Sequence, residues 1–373
     1  MSYIGENETF CYRDGACEVK HPETFSASEA ERLGGILASF GSRFSAACSD
    51  YSYHAMLSAI SNSLAEFGCD TVVCESTDLP SFRFGIPLIS ANCGIFISGA
   101  HGSMQFTLFD EKGLRFSDDK LRKVMEGSPV PNAETRGSVT ASTTFRELYI
   151  GNLRECLNVR DKIPASVSCG GRAVRTLWEE FFTCRDDGLV FQVSEDGQRA
   201  NAYSSDVGFI SHEKLLMTYV FMQTQKEREV WLPDDFHYAA ELLDGHRLIH
   251  RFSAEREMPE DAVKQRFLTD TLFLCTQLSQ DRQAMISAIR ALPSFATSNR
   301  DISINVTDET PVGRTIIDSG GRIRISRSGS RRLKLSAQAY SAETASELCS
   351  QWTEKLRRSA ADVGISQDND IDK

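Results

Sequence analysis

The sequence predicts an α/β protein of three tandem α/β units, the second and third shorter than the first, followed by a small C-terminal α+β unit. Segments of helix period and strand period alternate with short connections through most of the chain, whereas its last part reads strand, glycine turn, strand, basic loop, strand and one long helix. At 373 residues the chain is also too long for a single hydrophobic core. We therefore predict units at residues 1–158, 159–225, 226–298 and 299–361, and a disordered polar tail at 362–373.

The first unit shows the clearest alternation of elements. Ser26 or Ser28 is placed to cap an amphipathic helix that has acidic residues in its first turn. A second helix is predicted over residues 54–67, and it ends at Gly68 because glycine readily adopts the left-handed conformation that closes helices. A short buried strand is predicted from Asp70.

The segment that follows continues this pattern. We predict a loop that contains Pro80, a short helix near residues 84–91 and a buried strand at residues 94–97. Helices and strands that alternate with short connections predict a largely parallel sheet covered on both faces.

The remaining units are predicted from the same periodicities. The predicted strands are residues 165–169, 189–193 and 229–233, and the predicted helices are residues 173–184, 213–223, 236–243, 265–277 and 342–358. Asp196–Gly197 is a turn between two strands, and Pro293 with the polar run at residues 296–299 marks the boundary before the last unit. The strands of the last unit are expected to pair antiparallel.

The composition excludes several classes of function. Acidic residues outnumber basic ones by 52 to 41, and the formal net charge of −11 argues against a nucleic-acid-binding surface. The eleven cysteines are scattered singly without a CxxC pair, the N-terminus has no secretory signal, and no apolar run approaches the roughly 20 residues that span a bilayer. We expect a cytoplasmic protein with reduced thiols, and neither nucleic acid nor a membrane as its partner.

The most informative segment is a strand, a loop and a second strand at residues 94–113. The loop consists of small residues around His101, and an Asp-Glu-Lys-Gly turn closes the second strand. Polar loops at the ends of buried strands are where α/β proteins commonly place their chemistry. We therefore predict a candidate site at Ser98–Ser103.

Four segments together resemble one enzyme family. The segments Ser98–Ser103 and Leu108–Asp110 are similar to the Thr-x-Ser-His-Asn-Pro loop and the Leu-Phe-Asp strand of the α-D-phosphohexomutase superfamily, the phosphoglucomutases and phosphomannomutases. Residues 204–216 resemble the segment after that family's metal loop, and Arg322–Arg332 resembles its Arg-Pro-Ser-Gly-Thr-Glu-Pro phosphate loop. The resemblance covers nearly the whole chain, and it implies three phosphohexomutase-type domains, of which the second and third are shortened, plus a fourth phosphate-loop domain.

The resemblance implies that the family's nucleophile is missing. Family members shuttle a phosphoryl group through a serine, and this position falls on Ala100, whose methyl group cannot attack phosphorus. Ser98 and Ser103 are interpreted as loop-capping hydroxyls, with replacement of the nucleophile as the alternative. His101 keeps the family's histidine position, where a structural hydrogen bond or a phosphate contact is expected, and Thr107 stands where the family has a lysine.

The family's metal loop, Asp-Gly-Asp-x-Asp-Arg, corresponds here to Ser194–Arg199. Asp196 and Arg199 keep the family's identities, whereas Ser194 and Gln198 replace two of its three carboxylates. Because Mg²⁺ needs several oxygen ligands, Asp196 is only a remnant of a metal site. We predict a plain turn between two strands at this position.

The family's other two elements are kept to different degrees. Its Gly-Glu-x-Ser-Gly sugar loop is absent between Trp231 and Pro293. Its phosphate loop is best kept, since small residues with free backbone N–H groups and flanking arginines can bind a phosphate. The phosphate-binding candidates are Arg327, Ser328, Gly329, Ser330 and Arg331. The alternative for this segment is a solvated basic hairpin.

These observations lead to one hypothesis and two alternatives. The hypothesis is a phosphohexomutase-like protein that has lost phosphoryl transfer and acts as a binding or regulatory protein. It requires no cofactor, and its partner is another protein, a second copy of the chain or an anionic ligand such as a sugar phosphate. The alternatives are an active mutase with rearranged loops, which would need Mg²⁺, and a sugar-phosphate binder without turnover.

Overall fold

The structure, a computed structural model, describes residues 10–13, 16–19, 26–74, 77–99, 104–116, 118–184, 188–233, 236, 240, 243, 246–252, 259–261, 265–293, 295–304, 315–318, 320–329 and 332–368. The chain forms two compact units. The first unit is Met1–Leu215 with Arg266–Arg282, and the second is Leu216–Gln265 with Gln283–Lys373. The four domains that the sequence indicates are finer than this division and stay predictions.

A seven-stranded sheet is the largest sheet of the first unit. Its strands are β1 (Phe10–Arg13), β2 (Ala16–Val19), β3 (Arg43–Cys48), β4 (Asp70–Cys74), β5 (Cys93–Ser98), β6 (Met104–Asp110) and β7 (Val139–Ala141). They lie in the order β1-β2-β6-β5-β3-β4-β7. β3 pairs in parallel with β4 and β5, and β4 with β7, whereas β5–β6, β6–β2 and β2–β1 are antiparallel.

This sheet is mixed, where the sequence predicts a largely parallel one. The difference arises after β5, because Ser98 pairs with Gln105 and the two strands form a hairpin. So short a connection joins antiparallel strands, since a parallel crossover needs a dozen or more residues. Hydrophobic periodicity carries no information about strand direction, which is why the prediction was wrong here.

Both faces of the seven-stranded sheet are covered, as predicted. Alternate side chains of β3 enter separate clusters of buried apolar residues: Phe44 and Ala46 lie in one cluster, and Ala47 lies in the other. β5 divides in the same way between Ile95 and Phe96. The two cores fix the strand ends from both sides.

In the part of the chain that the structure describes, five α-helices accompany these strands. They are α1 (Ala27–Leu37), α2 (His54–Glu66), α3 (Leu79–Leu88), α4 (Asp118–Glu126) and α5 (Phe145–Leu157). Ser26 caps α1, as predicted: its Oγ accepts from the N–H of Glu29 at 3.2 Å, and Glu29 Oε2 accepts from the N–H of Ser26 at 2.6 Å. α2 ends before Gly68, whose φ of +80° is left-handed and confirms the predicted stop.

The helix α3 begins earlier than predicted, at Leu79. Asp78 caps it by accepting a hydrogen bond from the N–H of Ser81 at 2.8 Å. Pro80 lies in the first turn of this helix and not in the predicted loop. A proline is tolerated there because its missing N–H breaks no helical hydrogen bond.

A four-stranded sheet lies in the C-terminal half of the first unit. Its strands are β8 (Ser166–Cys169), β9 (Leu189–Val193), β10 (Ala200–Ser204) and β11 (Gly208–Ile210), in the order β11-β10-β9-β8 with only β8–β9 parallel. The helix α6 (Arg172–Trp178) follows β8, and α7 (His212–Gln225) follows β11. α6 is shorter than the predicted helix at 173–184, because the chain leaves the helix to pair with Ile163, whose N–H donates to the carbonyl oxygen of Phe181 at 2.8 Å.

The helix predicted at residues 265–277 is divided in two. A 3₁₀ turn at Arg266–Leu268 precedes α8 (Thr271–Ser279). Asp270 separates them in an extended conformation and caps α8 by accepting from the N–H of Phe273 at 2.9 Å.

The second unit contains a strand pair and an antiparallel sheet. The pair is β12 (Val230–Pro233) with β13 (Ile249–Phe252), in parallel; the sheet is β14 (Ala296–Ser303), β15 (Thr315–Asp318), β16 (Gly321–Gly329) and β17 (Arg332–Ala339), in the order β14-β17-β16-β15. The helices are α9 (Arg282–Ala291) and α10 (Ala342–Asp368). α10 packs on one face of the sheet, where Ile323, Leu335 and Leu348 share a buried cluster. The predicted antiparallel strands with one helix agree with this arrangement.

Both ends of this last module differ from the prediction. β14 begins at Ala296, inside the polar run that was expected to be a boundary. The sequence pattern did not predict this strand, because Ile302 is its only side chain below one tenth exposed and the strand therefore shows no apolar alternation. α10 continues to Asp368, so residues 362–368 are helical where a disordered tail is predicted.

Most of the helix predicted at 236–243 lies outside the described residues. None of the described helices has the length and apolar character needed to cross a membrane.

Candidate functional site

The strand–loop–strand segment forms the hairpin β5–β6. Ala100, His101 and Ser103 lie outside the described residues, and their roles stay predictions. Ser98 ends β5, and its Oγ accepts a hydrogen bond from Gln105 Nε2 at 3.1 Å across the hairpin. This contact joins the two strands through their side chains, and the loop-capping role of Ser98 stays a prediction.

The strand β6 is buried along its middle. Thr107 is 3% exposed, and its neighbours in the strand, Phe106 and Leu108, are buried on the opposite face. A buried threonine in a sheet contributes to packing. Thr107 is therefore a buried, uncharged side chain of β6.

The other end of the hairpin is closed by the predicted turn. Asp110 Oδ1 accepts from the N–H groups of Lys112 at 3.0 Å and Leu114 at 2.9 Å. Gly113 has a φ of +72°, and a Cβ there would lie 2.5 Å from the carbonyl oxygen of Arg83. The turn therefore requires glycine at this position. The carboxyl group of Asp110 serves as the acceptor within this turn, and burial raises its pKa.

The segment Ser194–Arg199 forms the tight turn between β9 and β10, as predicted. Asp196 Oδ1 accepts from Ser194 Oγ at 2.6 Å and from the N–H of Gln198 at 3.1 Å. Ser194 Oγ also accepts from the N–H of Arg199 at 3.0 Å. Gly197 has a φ of +72°, which suits its place in the turn. The carboxylate of Asp196 thus contributes to the conformation of its own turn.

The Ser194–Arg199 turn lies against the glycine turn that follows β8. The neighbouring acid, Glu195, lies against the glycine turn after β8: a Cβ on Gly171 would be 2.5 Å from the Glu195 carbonyl oxygen. Within the described ranges no group of three or more His, Cys, Asp or Glu side chains is arranged to hold a metal ion. The interpretation of Asp196 as a remnant of a metal site stays a prediction.

Gln198 has a structural role that the sequence does not indicate. Its side-chain Oε1 accepts from Arg83 Nη1 at 3.3 Å, and its carbonyl oxygen accepts from Thr271 Oγ1 at 2.6 Å. Arg83 Nη1 also donates to the carbonyl oxygen of Thr269 at 3.0 Å, and Arg83 Nε donates to that of Gly113 at 2.9 Å. Arg83 on α3 thereby joins the β5–β6 hairpin, the β9–β10 turn and the start of α8.

Arg83 carries its charge in a buried environment. Burial, together with repulsion from Arg115, lowers its pKa to about 10. The guanidinium also lies 5.6 Å from the centroid of the Phe109 ring. No sequence signal identifies Arg83, because it stands in an apolar run and belongs to no motif.

The last residue of the turn is paired with a helix. Arg199 Nη2 forms an ion pair with Glu213 Oε1 in the first turn of α7. His212 lies beside them, and burial with repulsion from Arg199 lowers its pKa. Arg199 thus attaches the β9–β10 turn to the first turn of α7.

The predicted phosphate loop is the hairpin between β16 and β17. Arg327 pairs with Leu333 and Gly329 pairs with Arg332, so the register shifts and Ser328 has no opposite residue in the ladder. Such a bulge bends and twists the strand. Ser330 and Arg331 lie outside the described residues, and their proposed contacts stay predictions.

Solved structures with the same fold include proteins of three organisms. A phosphoglucomutase/phosphomannomutase family protein from Burkholderia thailandensis is 13% identical with a TM-score of 0.69, over 93% of this chain and 96% of that chain. A protein of Thermus thermophilus assigned as a phosphomannomutase is 12% identical with a TM-score of 0.66, over 94% and 100% of the two chains. The open form of pp63/parafusin, a Paramecium phosphoglucomutase, is 8% identical with a TM-score of 0.59, over 91% and 90%.

These similarities establish the fold. No protein-family model matches the chain, and no curated protein sequence matches it. Over nine tenths of its length the chain nevertheless has the fold of the phosphoglucomutase/phosphomannomutase proteins, as the sequence resemblance implies.

Proposed function

We propose that this chain uses the phosphohexomutase fold to bind an anionic ligand without transferring a phosphoryl group. The observation that carries the proposal is the turn Ser194–Arg199, whose carboxylate at Asp196 accepts two hydrogen bonds from its own turn. Mg²⁺ that assists phosphoryl transfer is held by carboxylates together with phosphate oxygens. A single carboxylate already engaged in a turn offers little to such an ion, so the proposed function needs no cofactor.

The nucleophile position supports the same proposal. The sequence places Ala100 there, and the hydroxyl of Ser98, two residues earlier in the sequence, is in contact with Gln105. Phosphoryl transfer requires the attacking oxygen to be in line with the leaving oxygen. A displacement of about 1 Å already costs roughly a hundredfold in rate. Ser98 and Ser103 are therefore poor substitutes for a serine at position 100.

The proposed ligand site is the hairpin at Arg327–Arg331. Its glycine and serines supply backbone N–H groups, its arginines supply positive charge, and the bulge at Ser328 takes one residue out of the strand ladder. Phosphate and sugar phosphates are the ligands that this chemistry suits. In a regulatory role, the ligand-bound chain would act on a protein partner or on a second copy of itself.

The catalytic part of the proposal is tested by incubating the protein with glucose 1,6-bisphosphate and Mg²⁺ and measuring its intact mass. We expect no gain of one phosphoryl group, and no conversion of glucose 1-phosphate into glucose 6-phosphate while an active phosphoglucomutase converts it in parallel. Stoichiometric phosphoserine with turnover would instead establish the active mutase. The variants Ser98→Ala and Ser103→Ala would then identify the nucleophile.

The binding part is tested by calorimetric titration with glucose 6-phosphate. We expect binding to the wild type that is weakened tenfold or more, about 1.4 kcal/mol, by Arg327→Ala and by Arg331→Ala. Arg300→Ala is the matched control, because Arg300 is an exposed arginine of the same sheet whose ladder partner, Leu335, is in the core under α10. Absence of heat with the wild type would remove the ligand from the proposal.

A further inference from the structure

A second cationic feature lies on the strands of the C-terminal sheet, outside the Arg327–Arg331 hairpin. Side chains alternate along β16, so Ile323 and Ile325 enter the core under α10 while Arg322, Arg324 and Ser326 are on the opposite face. The adjacent strand β17 alternates in the same way. Its residues on the opposite face are Lys334, Ser336 and Gln338.

The strand register brings these side chains together in rungs. Arg322 pairs with Gln338, Arg324 with Ser336, and Ser326 with Lys334. Side chains directly opposite on one face have Cβ atoms about 4.5–5.5 Å apart. The flanking strands β14 and β15 add two polar residues, Asn299 opposite Ser336 and Thr315 opposite Arg324.

These residues enclose a cavity of about 300 Å³, here named the cationic pocket. It is lined by Asn299, Thr315, Arg322, Arg324, Ser326, Lys334, Ser336 and Gln338. Three of these side chains are cationic, and none of the described lining residues is acidic. The pocket is thus positive in a chain whose net charge is −11, so its charge is a local property of the face.

One arginine of the pocket is held in a fixed orientation. Arg322 is only 7% exposed, and its Nε donates to Gln338 Oε1 at 2.9 Å. A guanidinium presents its N–H groups in a planar fork that matches the oxygens of a phosphate. Because the plane of this guanidinium is already fixed, less conformational entropy is lost when an anion binds to it.

The remaining lining favours a small polar ligand over a macromolecule. The hydroxyl and amide side chains of the lining can donate hydrogen bonds to, or accept them from, the ester and hydroxyl groups that accompany a phosphate in a small molecule. The volume is at the lower end of small-molecule sites, which excludes a folded partner from the pocket itself. Asp301 is opposite Lys334 in the register and offsets part of the positive charge, but the lining contributes three cations against this one acid.

We propose that the cationic pocket binds the phosphate or diphosphate group of a small molecule, through Arg322 and Arg324 with Lys334 beside them. The site uses strand residues on the face opposite α10, whereas the proposed function uses the hairpin at Arg327–Arg331. The two sites are therefore separable by mutation, and neither proposal depends on the other.

The test is a calorimetric titration of the full chain with inorganic pyrophosphate at low ionic strength, where electrostatic attraction is least screened. The reference protein carries Arg327→Ala and Arg331→Ala, which remove the hairpin site. We expect this protein to bind one pyrophosphate, and adding Arg324→Ala or Lys334→Ala to weaken binding tenfold or more. Arg300→Ala in the same background is expected to leave the affinity unchanged, and thermal unfolding confirms that each variant is folded.

The contrary outcomes are distinct. If the protein without the hairpin arginines binds no pyrophosphate, the cationic pocket is not a site and the hairpin proposal stands. If it binds but Arg324→Ala and Lys334→Ala leave the affinity unchanged, the anion binds elsewhere and the pocket is again overturned. A folded Lys334→Ala protein keeps the test decisive should Arg324→Ala fail to fold.

Discussion

Replacement of Asp270 by alanine is expected to lower the free energy of unfolding by about 3–5 kcal/mol. Asp270 is 8% exposed and serves three donors at once. It accepts from Tyr149 Oη at 2.8 Å, from Arg266 Nη2 at 3.2 Å and from the N–H of Phe273 at 2.9 Å. Alanine would leave the buried Tyr149 hydroxyl and the partly buried Arg266 guanidinium without this acceptor, and it would remove the cap of α8. The loss of folding free energy should therefore be large.

The size of this effect is measured by urea unfolding followed by circular dichroism, with linear extrapolation to water. Asp270→Asn is the matched control, since it keeps an oxygen acceptor for Tyr149 and Phe273 and loses only the charge facing Arg266. Tyr149→Phe removes a single hydrogen bond and should cost about 1 kcal/mol. An alanine variant within about 1 kcal/mol of the wild type would show that Asp270 does not stabilise the first unit in this way.

Replacement of Trp178 by alanine is the second large effect, with an expected cost of about 3–5 kcal/mol. Trp178 is completely buried beside the four-stranded sheet of the first unit. Its ring centroid lies 5.6 Å from that of Phe182 and 5.7 Å from that of Phe191. Truncation would open a cavity among aromatic rings that also hold the chain where it leaves α6 to pair with Ile163.

Thermal unfolding and near-ultraviolet circular dichroism would measure this loss. Trp178→Phe is the informative control, because the indole Nε1 is buried with no hydrogen-bond partner among the described residues. Phenylalanine therefore sacrifices volume but no hydrogen bond, and we expect it to be much less destabilising than alanine. If Trp178→Phe and Trp178→Ala lost the same stability, the smaller phenylalanine ring would stabilise this core no better than a methyl group. The full size of the indole ring would then be what the core requires.

Local turn chemistry made part of this structure predictable. Gly68 and the Asp196–Gly197 turn were identified because helix stops and tight turns depend on a few neighbouring residues. The capping box at Ser26 is local in the same sense. The interpretation of Ser194–Arg199 as an eroded metal loop rests on residue identities alone and stays a prediction.

The rest depends on pairings between residues far apart in the chain. Nothing near Arg83 indicates that it will meet Gln198 and Thr269, because these contacts exist only after three segments have packed together. The cationic pocket is another example: Arg324 and Lys334 are diagonal neighbours only through the register of β16 and β17. The sequence indicated the basic character of this region but not the face on which it lies.

The antiparallel pairing of β5 with β6 has a consequence for the electrostatics of the loop at residues 99–103. In many α/β proteins the loop after a buried strand leads into a helix, whose N-terminal end has a positive partial charge that attracts anions. Here the loop leads into the strand β6 instead, and strands have only small net dipoles. An anion at this loop would therefore gain no attraction from a helix dipole at the loop's exit, and side chains would have to supply it.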